Sequence, residues 1–121
     1  MTLPAKTILI VDNDEDWISL LEKLLAAEGY KVLKALCCAE AIAAAGRARP
    51  DCVIADLKMG GESGMTVCCH LKSDPELSGI PFILLSGAEP EEGGCGCACD
   101  AFVSKADGTA ALLAAVKKAL G

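Results

Sequence analysis

No stretch of the 121-residue chain is apolar for long enough to span a bilayer, and Met1 to Pro4 lacks the basic start and apolar run of a signal peptide. The expectation is a cytoplasmic protein with no membrane partner. Positive charge is also scarce: eleven Lys and Arg, scattered along the chain, stand against seventeen Asp and Glu, for a net charge of -6. Phosphate binding needs a basic face, so this composition argues against nucleic acid as a direct partner. The acidic balance suits solubility and the attraction of metal cations. Histidine is nearly absent, and the one residue, His70, falls on a helix that buries Val67 and Leu71, where it reads as exposed and inert. Length allows one domain, residues 1–121, and an apolar content of 53% leaves no room for extensive disorder.

Cysteine, by contrast, is abundant: Cys37, Cys38, Cys52, Cys68, Cys69, Cys95, Cys97 and Cys99. Without a secretion signal they read as reduced thiols, most of them small core or half-buried residues, since neighbours inside one helix do not easily bridge each other. Cys95, Cys97 and Cys99 alternate in a glycine-rich stretch. Thiolates so spaced can converge on a soft metal, but the common structural zinc pattern has a two-residue gap and a distant second pair. A passive loop is the simpler reading, with a metal or redox sensor as the alternative.

Taken in order, the chain alternates strand and helix. Thr7 to Val11 is a β-rich run, after which Trp17, Leu20, Leu21, Leu24 and Leu25 keep the spacing of a helix face closed by Gly29. Lys31 to Leu36 is a shorter, less apolar strand, followed by an alanine-rich helix, Ala39 to Ala45, ending near Gly46. Pro50 breaks the chain before a strand from Cys52 to Ala55. A third helix runs from about Ser63, placed as its N-cap, to Ser73. Ile80 to Leu85 and Ala101 to Ser104 are the remaining strands; the glycine-rich segment between them, Gly87 to Asp100, is poor helix material. The last helix opens at Asp107 and buries Leu112, Leu113, Val116 and Leu120. Alternation of this kind gives an α/β, doubly wound parallel sheet whose site lies beyond the carboxyl ends of the strands.

Four apolar runs end in a polar side chain at that edge. Ile8 to Val11 runs into Asp12, Val53 to Ala55 into Asp56 and then a glycine-rich loop, Phe82 to Leu85 into Ser86, and Ala101 to Val103 into Ser104 and Lys105. Two acids, a hydroxyl and an amine would meet there.

On these residues the chain resembles a response-regulator receiver domain over essentially its whole length. The resemblance implies a five-stranded flavodoxin-like sheet in the order 2-1-3-4-5. It also implies that Asp12 is the first acid of the metal site, Asp56 the phospho-acceptor, Ser86 the switch hydroxyl, Lys105 the site lysine and Phe102 the rotating aromatic. Met59 and Gly64 also stand where the family has Met and Gly. Asn13 replaces the usual second acid, Gly60 and Ala106 replace usual prolines, and the segment before Phe102 is short enough that the fourth helix is expected to be shortened or absent.

The implied activity is phosphorelay signalling: phosphorylation of Asp56 by a partner histidine kinase or phosphotransfer protein with Mg²⁺, and no enzymatic role beyond self-phosphorylation and autodephosphorylation. A hard cation would take oxygens from Asp12, Asp56, the Asn13 side chain and the Lys58 backbone carbonyl. Asn13 supplies an oxygen without charge, a loss that Asp14 is close enough in sequence to offset. Asp12 to Asp16 would otherwise be a solvated acidic helix start, and Trp17 reads as packing on the helix face. Two alternatives remain: a pseudo-receiver that binds a protein without phosphorylation, and a thiol sensor at Cys95, Cys97 and Cys99. No output domain is expected within the chain.

Overall fold

The computed structural model describes residues 5–59, 61–86, 100–105 and 108–120. The first strand, β1 (Thr7–Val11), lies between β2 (Lys31–Ala35) and β3 (Cys52–Asp56), followed outward by β4 (Phe82–Ser86) and β5 (Ala101–Ser104), all parallel, in the order β2-β1-β3-β4-β5. Among the described residues the helices are α1 (Glu15–Ala27), α2 (Cys38–Ala48), α3 (Gly64–Lys72) and α4 (Thr109–Leu120). Of the segment expected to lose its helix, Gly87 to Asp100, all but Asp100 lies outside the described residues, as does the expected cap Asp107.

Side-chain alternation along the strands builds two cores, one on each side of the sheet. Ile8, Ile10, Cys52, Ile54, Ile83, Leu85 and Val103 pack with Ile18, Leu21 and Leu25 of α1 and Leu112 and Val116 of α4. Leu9, Val11, Val53, Ala55, Phe82 and Leu84 pack with Ala41 and Ala45 of α2 and Val67 and Leu71 of α3. Period-two strands between period-3.6 helices leave this doubly wound sandwich as the way to bury both sheet faces.

The helices depart from expectation in three places. The buried stripe of α1 is Ile18, Leu21 and Leu25, while Leu20 is 44% exposed, because the stripe tracks the i, i+3, i+7 row rather than every leucine. Gly46 does not stop α2, which continues to Ala48 and closes on Arg49, a left-handed residue (φ 47°) whose N–H donates to the Ala45 carbonyl. Leu113 and Leu120 are half-buried, whereas Leu112 and Val116 face the core. Gly29, in contrast, takes the expected left-handed turn after α1 (φ 93°).

Candidate functional site

The sheet order reverses at β1, so the carboxyl ends of β1 and β3 flank the switch point where such sheets open a crevice. Asp12 immediately follows β1 and Asp56 ends β3. Both are buried, with 1% and 8% exposure, and they are the buried polar side chains of the described residues. Asp12 is held from two sides: its N–H donates to the Ala35 carbonyl at 3.1 Å, and its Oδ1 accepts from the Asp14 N–H at 3.0 Å. Asp56 Oδ1 accepts from the Lys58 N–H at 3.2 Å.

The loop after Asp56 is fixed by its own backbone. Met59 and Glu62 exchange two N–H to carbonyl bonds, at 2.9 and 3.0 Å, and the Gly64 N–H returns to the Leu57 carbonyl. Gly64 packs so closely under the strand that a Cβ there would run into the Asp56 carbonyl oxygen. Ser63 caps α3 as expected, accepting from the Met65 N–H at 3.1 Å.

Lys105 arrives from the end of β5 and joins the two acids. Its Nζ donates to Asp56 Oδ2 at 2.8 Å and to Asp12 Oδ2 at 3.3 Å. Burial disfavours the ammonium, but the hydrogen bond and charge of Asp56, followed by those of Asp12, outweigh it and raise the Lys105 pKa. Burial likewise pushes the Asp12 carboxyl up; the Asp14 N–H pulls the other way, the facing Asp56 charge adds to the rise, and the net direction is upward. Two carboxylates and one ammonium leave one negative charge at the edge, an arrangement able to attract a cation and to hold an anion once that cation is present.

Asn13 is exposed beside Asp12, and Asp14 is committed elsewhere: its Oδ1 accepts from the Asp16 and Trp17 N–H groups at 3.0 and 3.2 Å as the N-cap of α1. Asp14 thus serves as the helix start expected of the Asp12 to Asp16 stretch, with Oδ1 taken up by capping. Ser86 ends β4 opposite Ser104; its side chain lies outside the described residues. Phe102 is half-buried against the α2/α3 core and lines a groove of about 430 Å³ with Pro81, Ala115 and Lys118. His70 is exposed.

Cys37, Cys38 and Cys52 are free thiols, and burial pushes Cys52 up to about 12, which makes it inert. Cys69 is disulfide-bonded, so the expectation of reduced thiols throughout does not hold. Cys68 is buried in the core, whereas the next residue on the helix turns outward and is only half-buried, accessible to another sulfur. The candidate thiol site Cys95, Cys97 and Cys99 lies outside the described residues.

One residue of the site was read from the sequence only as packing. The Trp17 ring lies under Lys105, with Nζ 5.0 Å from its centroid. Helical spacing gave its face but not its neighbour, because the lysine comes from the far end of the chain.

Comparison with known proteins gives one answer. The sequence model of the response regulator receiver domain matches residues 8–117. The polar-differentiation response regulator DivK of Brucella anthropi is 31% identical over 96% of this chain and 97% of its own. Response regulator PleD of Caulobacter vibrioides is 42% identical over 82 residues, 68% of this chain but only 18% of PleD. Among solved structures, the response regulator protein TrrA of Thermotoga maritima, in complex with Mg²⁺ and BeF, superposes with a TM-score of 0.86 at 30% identity, covering 95% of this chain and 99% of that one.

Proposed function

Since the chain belongs to the response regulator receiver family, we propose that it accepts a phosphoryl group on Asp56 from a partner histidine kinase or phosphotransfer protein, as a single domain whose own chemistry is limited to gaining and losing that group. The observation that carries this reading is the Lys105 ammonium bridging two buried carboxylates at the strand ends beside the switch point.

The donor set fits Mg²⁺. Mg²⁺ is ordinarily held by one or two carboxylates together with water and phosphate, and Asp12 and Asp56 are two such groups, with the Asn13 side-chain oxygen and the Lys58 carbonyl as neutral supplements. Because Asn13 brings an oxygen without a charge, the site is weaker than one with a third carboxylate. When bound, the cation would offset the charge of the incoming phosphoryl group.

In the transfer, a carboxylate oxygen of Asp56 attacks the phosphorus of a partner phosphohistidine. The P–N bond breaks as the P–O bond forms, and the leaving imidazole nitrogen takes up a proton. The Lys105 ammonium moves its hydrogen bond from Asp56 Oδ2 to a phosphoryl oxygen, staying paired with Asp12. Ser86 donates to another phosphoryl oxygen, and the shift of the β4 end draws Phe102 toward the sheet.

Asn13 supports a second reading, a pseudo-receiver that binds its partner unphosphorylated. Incubation with acetyl phosphate, with and without Mg²⁺, separates the two: Mg²⁺-dependent incorporation in the wild type and none in Asp56→Asn is expected. A wild type that stays unmodified at saturating Mg²⁺ selects the pseudo-receiver.

A further inference from the structure

Lys105 carries a flexible four-carbon stem, and nothing in its two ion pairs fixes the direction from which the ammonium approaches. The ring of Trp17 supplies that direction. Nζ stands 5.0 Å from the ring centroid while donating to Asp56 and Asp12 at 2.8 and 3.3 Å. The ring is in turn tied to the same carboxylates through the backbone: Asp12 Oδ1 accepts from the Asp14 N–H, and Asp14 Oδ1 accepts from the Trp17 N–H at 3.2 Å. Lys105, Asp12, Asp14 and Trp17 thus form a closed circuit of contacts around the strand ends.

The indole itself shows which of its properties is used. Its Nε1 is buried and has no hydrogen-bond partner among the described residues, a penalty that a phenylalanine or leucine filling the same space would avoid. What tryptophan offers instead is the strongest π-face for a cation. Trp17 is also packed, partly buried, against the α1/α4 core, which limits the freedom of its ring.

We propose that Trp17 is a positioning residue that clamps the Lys105 ammonium against Asp56 and Asp12 and keeps it in reach of the phosphoryl group. The first half stands on the resting structure; the second rests on the receiver reading given above. Because Trp17 is the one tryptophan of the chain, its substitution removes no other indole signal.

The test compares wild type, Trp17→Phe and Trp17→Leu by two readouts. The first is the NMR position of the Lys105 ε-methylene protons, which a ring face shifts upfield of the other lysines. The second is the rate of phosphorylation by acetyl phosphate with Mg²⁺. The wild type should show the upfield shift. Trp17→Phe should keep part of it and phosphorylate within about twofold of the wild type, and Trp17→Leu should lose it and slow about tenfold. Ordinary Lys105 shifts in the wild type, or a leucine variant that phosphorylates at the wild-type rate, overturns the clamp. An inert wild type with an upfield Lys105 defeats phosphorylation but upholds the clamp at rest. Should Trp17→Leu fail to fold, the wild-type shift and the phenylalanine variant decide alone.

Discussion

Gly64 is set by what lies beneath it. A methyl group there would meet the Asp56 carbonyl oxygen and the Ala55 Cβ, neither of which is the end of a flexible side chain. Gly64→Ala should therefore push the loop from β3, lowering unfolding free energy in urea by about 1–3 kcal/mol and impairing the site together with the fold. An alanine variant of unchanged stability would mean that the loop yields freely. Asp12 presents the opposite balance. Its folded-state pKa is raised above 3.8, so between the ordinary and the raised value the folded protein binds more protons than the unfolded chain and loses stability as pH rises. In its charged form Asp12 costs stability for the sake of the site. Asp12→Asn should accordingly raise unfolding free energy by about 0.5–2 kcal/mol while weakening Mg²⁺ binding in a titration. A less stable variant would show that the ion pair with Lys105 outweighs burial.

Between elements, Asp100 fastens the start of β5. Its Oδ2 accepts from the Phe82 N–H at 2.7 Å and from Lys72 Nζ at 2.9 Å, joining β5 to β4 and α3. Burial pushes the carboxyl up, but the Lys72 and Phe82 hydrogen bonds and the Lys72 charge prevail and lower its pKa. A depressed carboxylate contributes stability that is complete above its ordinary pKa and is lost as pH falls through the folded value. Asp100→Asn should cost about 1 kcal/mol at pH 7, the low end for charged hydrogen bonds because the group is half exposed, and nothing in strong acid. A pH-independent difference would assign the effect to packing. The strands were legible because apolar runs bounded by Gly, Pro and acids leave few alternatives. The end of α2 was not: Gly46 carries a helical cost of only about 1 kcal/mol, which the buried Ala41, Ala44 and Ala45 before it override, and nothing about Arg49 in the sequence announces a left-handed cap.

For the molecule as a whole, a parallel sheet delivers distant residues to one edge, and this decided what sequence could and could not say. Asp12, Asp56 and Lys105 were legible because each follows an apolar run, and the sheet order brings their side chains together. Trp17 was not, because its importance lies in a contact across the chain rather than in its own helix. No helix among the described residues is long and apolar enough to cross a membrane. The central claim is that Asp56, Lys105 and the β5 end respond together to a phosphoryl group. It is tested most directly by amide NMR of the wild type and Asp56→Asn with Mg²⁺ and beryllofluoride. The account predicts shifts at Ser86 and from Phe102 to Lys105 in the wild type and none in Asp56→Asn. Unchanged wild-type spectra at saturating mimic and metal would contradict it.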